Sequence, residues 1–329
     1  MSGMFGRFLQ GLIFSTLGVG SAYAADPLTI SLGLQQSGTA QWELTAMHDL
    51  GIDAKHGLTV NIRQLADNQA GQVALQTGTV DIILSDFVWV SLQRTQGNMV
   101  TMVPHSLAAG ALMVEPTAGI KSVADLKGQT LAVAGTPLDK SFVALEAYYN
   151  KLTRGTLTND ASMKYGAPPL INQLLIGGQV KAALNNWSWN AQSALTGKIS
   201  LISVQRMLAE LGVSAPPPLL GWVFTDKVAA EKHDALKAFL DASFDTKQVL
   251  LTDDKAWNNL RDLMNVKGND KLFAALRDGY REGIVRSYDA DRMDAAAQSF
   301  ALLAKYGGKD VVGNATALAD GTFYKGYSR

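Results

Sequence analysis

Hydrophobic residues in this chain follow two alternating rhythms, short apolar runs and longer stretches with helical spacing. Leu28-Thr29-Ile30-Ser31-Leu32-Gly33-Leu34 reads as a buried strand, the loop Gln35-Gln36-Ser37-Gly38 turns the chain, and residues 39–55 read as a helix. A second strand over 58–65 carries apolar side chains at alternate positions, and a helix over 69–76 is stopped by Gly78 before a third strand over 79–85. Strands and helices alternating at these lengths predict parallel pairing in a sheet covered on both faces.

Two apolar runs between residues 99 and 114 lack helical period and read as strands leading out of this first unit. A second cycle then begins with a short helix over 120–128, capped by Ser122, a strand over 130–134 and a helix over 138–152. Strands near 161–165 and 181–185 alternate with further helices. The run Ser214-Ala215-Pro216-Pro217-Pro218 breaks regular structure, and 219–225 reads as a return strand. Beyond residue 226 helical spacing dominates, and this tail is expected to pack on the first unit. The predicted architecture is α/β, with two doubly wound lobes joined by a hinge. Residues 25–113 and 218–329 form lobe 1 and residues 114–217 form lobe 2. The hinge would lie at the crossings near Leu112–Glu115 and Pro217–Trp222.

Residues 1–24 read as a cleaved secretory signal peptide, with Arg7 ahead of an apolar stretch and Ala22-Tyr23-Ala24 at its end. A membrane anchor needs about 20 uninterrupted apolar residues, and Gln10, Ser15 and several glycines break this stretch. The chain has no cysteine, which removes disulfides, thiolate metal sites and a cysteine nucleophile. Loss of Arg7 with the leader leaves a near-neutral chain one charge negative, with no basic footprint for nucleic acid. His48, His56, His105 and His233 show no metal-ligand spacing, and no nucleophile stands with a base in a known motif. Glu43, Asp49 and Asp53 share one helix and read as a solvated face. No metal and no cofactor is expected.

In doubly wound sheets ligands bind beyond the carboxyl ends of strands, where loops and helix N-termini converge. Four loops meet that condition: 35–42, 85–89, 135–141 and 185–190. They and their flanks carry Trp42, Trp89, Trp187 and Trp189, with Trp222 near the return strand. An indole can close over a ligand and still donate its N–H, or can simply fill the core. Asn185, Asn186 and Asn190 stand beside Trp187 and argue that at least one of these rings faces a cleft. The third loop begins like a phosphate-binding loop, but Asp139 stands where that pattern demands glycine before the lysine, and a carboxylate repels polyphosphate. Thr136 either caps the following helix, with Asp139 in its first turn, or caps it and contacts a ligand as well. Asp86 likewise either caps a helix or accepts from a ligand. If both aspartates face a cleft, they favour a ligand with N–H donors or positive charge.

The loop 35–38, Ala74-Leu75-Gln76-Thr77-Gly78-Thr79-Val80-Asp81-Ile82, the segment from Ser122 to Val133 with its Leu126-Lys127-Gly128 phrase, and Gly221-Trp222-Val223-Phe224 together resemble a known family. These are the substrate-binding proteins of ABC importers in the nitrate, sulfonate, taurine and thiamine-pyrimidine group, with the type II periplasmic binding protein fold. The resemblance covers most of residues 28–230 and implies a periplasmic monomer that captures a small polar or heteroaromatic molecule for an inner-membrane permease. It places ligand contacts on Gln36, Ser37, Gln41, Asp86, Thr136, Ser141, Asn186, Trp187 and Trp222. Trp42, Trp89 and Asp139 join them as candidates from their positions at strand ends and helix starts. Two other functions stay open: an exported enzyme using Asp86 and Asp139 as paired acid and base, and a receptor that presents its ligand to a membrane sensor. Pyrimidine synthases that share the fold carry a cysteine cluster, which is absent here.

Overall fold

The computed structural model describes residues 28–35, 38–288 and 290–329; the expected leader, Gln36 and Ser37 lie outside the described residues. The first half runs β1 (Leu28–Gln35), α1 (Ala40–Asp49), α2 (Ile52–Lys55), β2 (Leu58–Leu65), α3 (Asn68–Gln76), β3 (Ile82–Asp86), α4 (Phe87–Thr95) and β4 (Val100–Ser106). The second runs β5 (Ala111–Val114), β6 (Thr130–Ala134), α5 (Lys140–Thr153), α6 (Leu157–Asp160), β7 (Ser162–Gly166), α7 (Pro168–Ile176), β8 (Ala182–Asn185), α8 (Trp187–Leu195), β9 (Ile199–Ser203) and α9 (Val204–Glu210). After β10 (Leu220–Thr225) come α10 (Asp226–Glu231), α11 (His233–Thr252), α12 (Asp270–Glu282) and α13 (Ala290–Val312), the last kinked at Gly308.

The strands form two five-stranded sheets, ordered β2-β1-β3-β10-β4 and β7-β6-β8-β5-β9. In each, four strands run in one direction, and the fourth strand in the order, β10 or β5, runs antiparallel to both neighbours. The two halves therefore match strand for strand. The all-parallel expectation missed these antiparallel strands, which enter where the chain crosses between sheets. The expected boundary after residue 113 falls inside β5, which pairs with β8 and β9 in the second sheet. The crossings are thus residues 107–110 and 214–219, so the first is earlier than the hinge expected from sequence.

Local chemistry explains several departures in the elements. Gly51, at φ 65°, splits the expected helix over 39–55 into α1 and α2, because only glycine holds that left-handed turn at little cost. Where a helix over 120–128 is expected, the chain makes a single 3₁₀ turn over Val123–Leu126. The Asp125 carboxylate anchors it by accepting the N–H groups of Lys121 and Ser122. Gly110 opens the first crossing, and a Cβ there would lie 1.8 Å from the Asn185 carbonyl oxygen. No side chain fits at that point, so β5 can enter beside β8 only through glycine.

The helical tail packs on the first sheet through α11, whose Leu236, Phe239 and Leu240 join the core of Ile30, Leu32 and Trp222. It also reaches the second sheet: α12 lies on α8 and α13 on α5. Trp42, Trp257, Phe273, Leu276 and Tyr280 form a separate apolar cluster beside the junction of the two halves. Burying these faces accounts for why a tail without strands is ordered. Among the described residues, no helix is long and apolar enough to cross a membrane.

Candidate functional site

The register of the sheets decides where the strand ends meet. Leu220, the first residue of β10, pairs with Asp86 at the end of β3 and with Ser106 at the end of β4. Ala111, the first of β5, pairs with Asn185 at the end of β8. Each antiparallel strand therefore begins beside the ends of the parallel ones, and the crossings share a rim with the strand-end loops. Between the two rims lies a cavity of about 1180 Å³, lined by loops of both halves and by α12. That volume suits a small molecule.

Among the helices that begin on this cavity, the first turns of α1, α3, α4, α5 and α8 are of two kinds. Asp67 accepts from the Ala70 N–H at the start of α3, and Asp86 from the Trp89 N–H at the start of α4. Asp139 accepts from both Ser141 and Phe142 at the start of α5. In these three a carboxylate already sits on the exposed N–H groups and answers the positive end of the helix dipole. Thr39 and Asn186, at the starts of α1 and α8, make no side-chain cap. The expected cap of α5 is corrected here: Asp139 holds the cap position, and the Thr136 hydroxyl accepts from Leu138 instead.

Asp86 does a second thing. Its other carboxylate oxygen accepts from the Lys140 ammonium at 3.1 Å, an ion pair that joins the first half to the second across the cavity. Withdrawal from water raises the Asp139 carboxyl above the usual aspartate range, against the lowering pull of the Phe142 N–H and of Lys140. On the opposite side, Trp42 and Trp187 meet edge to face with centroids 6.0 Å apart, again one from each half. Gly279 of α12 makes room for Trp187, since a Cβ there would fall 2.9 Å from the indole. Asn185 and Asn190 fix the start of α8: Asn185 donates to Pro168 and Asn190 to the carbonyls of Ala111 and Asn185.

Beneath the cavity floor is a buried polar cluster. Glu43, with no exposed surface, accepts from Ser243 at 2.5 Å, Tyr280 at 2.8 Å and His105 Nε2 at 2.9 Å, and Lys247 stands 3.6 Å away. Trp222 donates its indole N–H to Ser243 at 3.0 Å. Burial alone would raise the Glu43 carboxyl, but Lys247, His105 and Ser243 overcome it and hold the group well below the ordinary range. His105 is pushed down, first by burial and then by Lys247, so its ring is neutral at pH 7. With Nε2 donating to the carboxylate, Nδ1 is an acceptor, and it has no partner among the described residues. Glu43 is therefore no part of a solvated face, and no local pattern signals it, because its partners lie 62 to 237 residues away.

Of the residues expected from sequence, the structure brings Gln41, Trp42, Asp86, Asp139, Ser141, Asn186 and Trp187 onto one cavity, together with Lys140 and Trp189. Gln36 and Ser37 fall outside the described residues. Three candidates do not reach the wall. Trp222 is 1% exposed and packs between His105 and Phe239 in the core. Trp89 packs on the apolar cluster around Phe87 and Phe300, and Thr136 is exposed to one side. Sequence reasoning missed the contribution of the tail, where Leu272, Leu276 and Tyr280 recur at four-residue spacing and line the cavity as one helix face. Among the described residues no cluster of three metal-ligating side chains is present.

Two α/β sheets of matching strand order, crossed twice by the chain and separated by one polar and aromatic cavity, define a two-lobed binding fold. Residues 49–255 match the family described as NMT1/THI5 like, and the chain belongs to that family. Solved structures support the fold over nearly the whole chain. The alkanesulfonate-binding protein SsuA from Xanthomonas axonopodis pv. citri, bound to MOPS, matches with a TM-score of 0.67 at 16% identity, over 92% of this chain and 99% of that one. The periplasmic aliphatic sulphonate binding protein SsuA from Escherichia coli gives 0.70 at 15% identity, over 91% and 98%. The desulfurization enzyme DSZB gives 0.58 at 13% identity, over 89% and 97%, so this fold also hosts catalysis. No curated protein matches the sequence. The fold is that of type II periplasmic binding proteins.

Proposed function

We propose that this protein is the solute-binding component of an ABC importer, exported by a cleaved leader over residues 1–24 and working in the periplasm. In this reading it traps one small polar or heteroaromatic molecule between its lobes and delivers it to an inner-membrane permease. The observation that carries this is the cavity itself, since loops from two topologically equivalent halves line it and both halves contribute polar and aromatic groups. The family and the structural neighbours named as binding proteins add support. Lobe closure would turn on residues 107–110 and 214–219, with ligand contacts to both halves stabilising the closed state.

Catalysis by Asp86 and Asp139 fits the geometry less well. Paired carboxylates need different environments and a free face toward one substrate. Here Asp86 spends one oxygen on the α4 cap and the other on Lys140, while a single oxygen of Asp139 accepts two backbone N–H groups. A thermal-shift screen of sulfonates, aminopyrimidines, amines and small carboxylates tests the binding reading. A saturable rise in melting temperature with at least one class is expected, with the compound recovered unchanged. Silence across all classes at millimolar concentration, or conversion of the compound, contradicts it.

A further inference from the structure

The charges around the cavity are unbalanced in one direction. Asp67, Asp86, Asp139 and Asp262 line it, whereas among the described residues the basic side chains in its wall are Lys140 and Lys247, with no arginine. Both ammonium groups are engaged, Lys140 by Asp86 at 3.1 Å and Lys247 by buried Glu43 at 3.6 Å. The N-termini of α3, α4 and α5, which would otherwise offer N–H groups to an anion, are closed by Asp67, Asp86 and Asp139. An anion entering this space finds both ammonium groups and three of the helix starts already engaged.

A cation finds the opposite. The carboxylates of Asp86 and Asp139 sit at the rim, and Trp42, Trp187 and Trp189 offer aromatic surface in the same wall. His105, 4% exposed and part of that wall, holds an acceptor nitrogen that has no partner among the described residues. A buried unpaired acceptor beside a cavity is satisfied by an enclosed water or by a donor from a ligand.

We infer that the cleft selects a small organic cation, an ammonium or amidinium group carried on a flat apolar body, and that the ligand's cation takes the place of the Lys140 ammonium at Asp86. This rests on the solute-binding reading and names the charge class of its cargo. Asp86 is then the residue that sets specificity, and Lys140 is the internal competitor that keeps the carboxylate paired until the ligand arrives. Asp86 stays paired in either state, and the half-exposed Lys140 ammonium turns to water when the ligand displaces it.

Four probes that share one ring separate charge from shape: benzamidinium, benzamide, benzoate and benzenesulfonate, titrated calorimetrically into the full mature chain at low salt. Benzamidinium is expected to bind at least about tenfold tighter than either anion, with benzamide between, and added salt should weaken it. Asp86→Asn keeps the helix cap, because asparagine caps as well as aspartate, and should cost the cation about tenfold or more. Lys140→Gln removes the competitor and should strengthen the cation several-fold. Tighter binding of benzoate or benzenesulfonate, or a Lys140→Gln variant that binds benzamidinium more weakly, overturns the inference and leaves the solute-binding reading standing. If none of the four binds, the charge of whatever small molecule copurifies with the native protein decides: a cation supports the inference and an anion overturns it. A protein that carries nothing and binds none of the four contradicts both readings.

Discussion

Two lysine–carboxylate pairs stand at the same cavity and differ in one respect, their access to water. Asp86 and Lys140 are 25% and 40% exposed; Glu43 and Lys247 are 0% and 6% exposed. The exposed pair gains little from its contact, because water and salt screen it and two mobile side chains must be held. The buried pair lost its hydration on folding and is held by Ser243, Tyr280 and His105 as well. The same chemistry thus gives an exchangeable contact at the rim and a fixed one in the floor. Burial, more than residue type, separates the part of the site that can move from the part that cannot.

The comparison breaks most visibly if the floor can be cut cheaply. Glu43→Ala leaves Lys247 buried without its counter-ion and should lower stability by about 3–5 kcal/mol in urea or guanidinium denaturation. A loss below about 1 kcal/mol would place the two pairs in the same class. Acid sharpens the contrast. His105 has a folded-state value below its ordinary 6.5, so the unfolded chain binds a proton first and stability falls as pH drops from about 7 toward 5. Glu43, also lowered, contributes stability that is fully present above the ordinary carboxylate value and is lost as pH falls below it. His105→Gln should therefore flatten the upper part of the melting-temperature profile and leave the acid limb in place; an unchanged profile would assign the slope to other groups.

Smaller effects belong to the rim. Trp187→Ala loses an edge-to-face partner of Trp42, about 0.5–1.5 kcal/mol, and should weaken ligand binding by more than it lowers the ligand-free melting temperature. Equal losses with and without ligand would make Trp187 a packing residue. Asp86→Asn and Lys140→Gln without ligand should each change stability by less than about 1 kcal/mol. A larger loss would show that the rim pair is structural.

How much of this was legible in the chain depended on how local the determinants are. The alternation through β1, β2 and β3 reports its own environment, and Gly78 announces its break. The antiparallel entry of β5 is different: Ala111-Leu112-Met113-Val114 is apolar throughout and carries no sign of direction or of which sheet it joins. That choice is made by pairing with β8 and β9 and by the bare backbone of Gly110. The cleft loops were legible because ligands collect at strand ends in such sheets. The position of Trp222 near a strand end misled for the same reason, since its partner Ser243 lies on α11, a helix of the tail. Glu43 was hidden because a buried carboxylate looks like any other helix carboxylate until residues from β4, α11 and α12 are folded around it.

Whether the two halves hold a guest between them is tested most directly by native mass spectrometry of the protein recovered from its own cells without refolding. A one-to-one adduct with a small molecule is predicted, released on denaturation and strongly reduced in Trp187→Ala. The bare mass of the chain in both proteins, before and after incubation with the extract of those cells, would contradict the account.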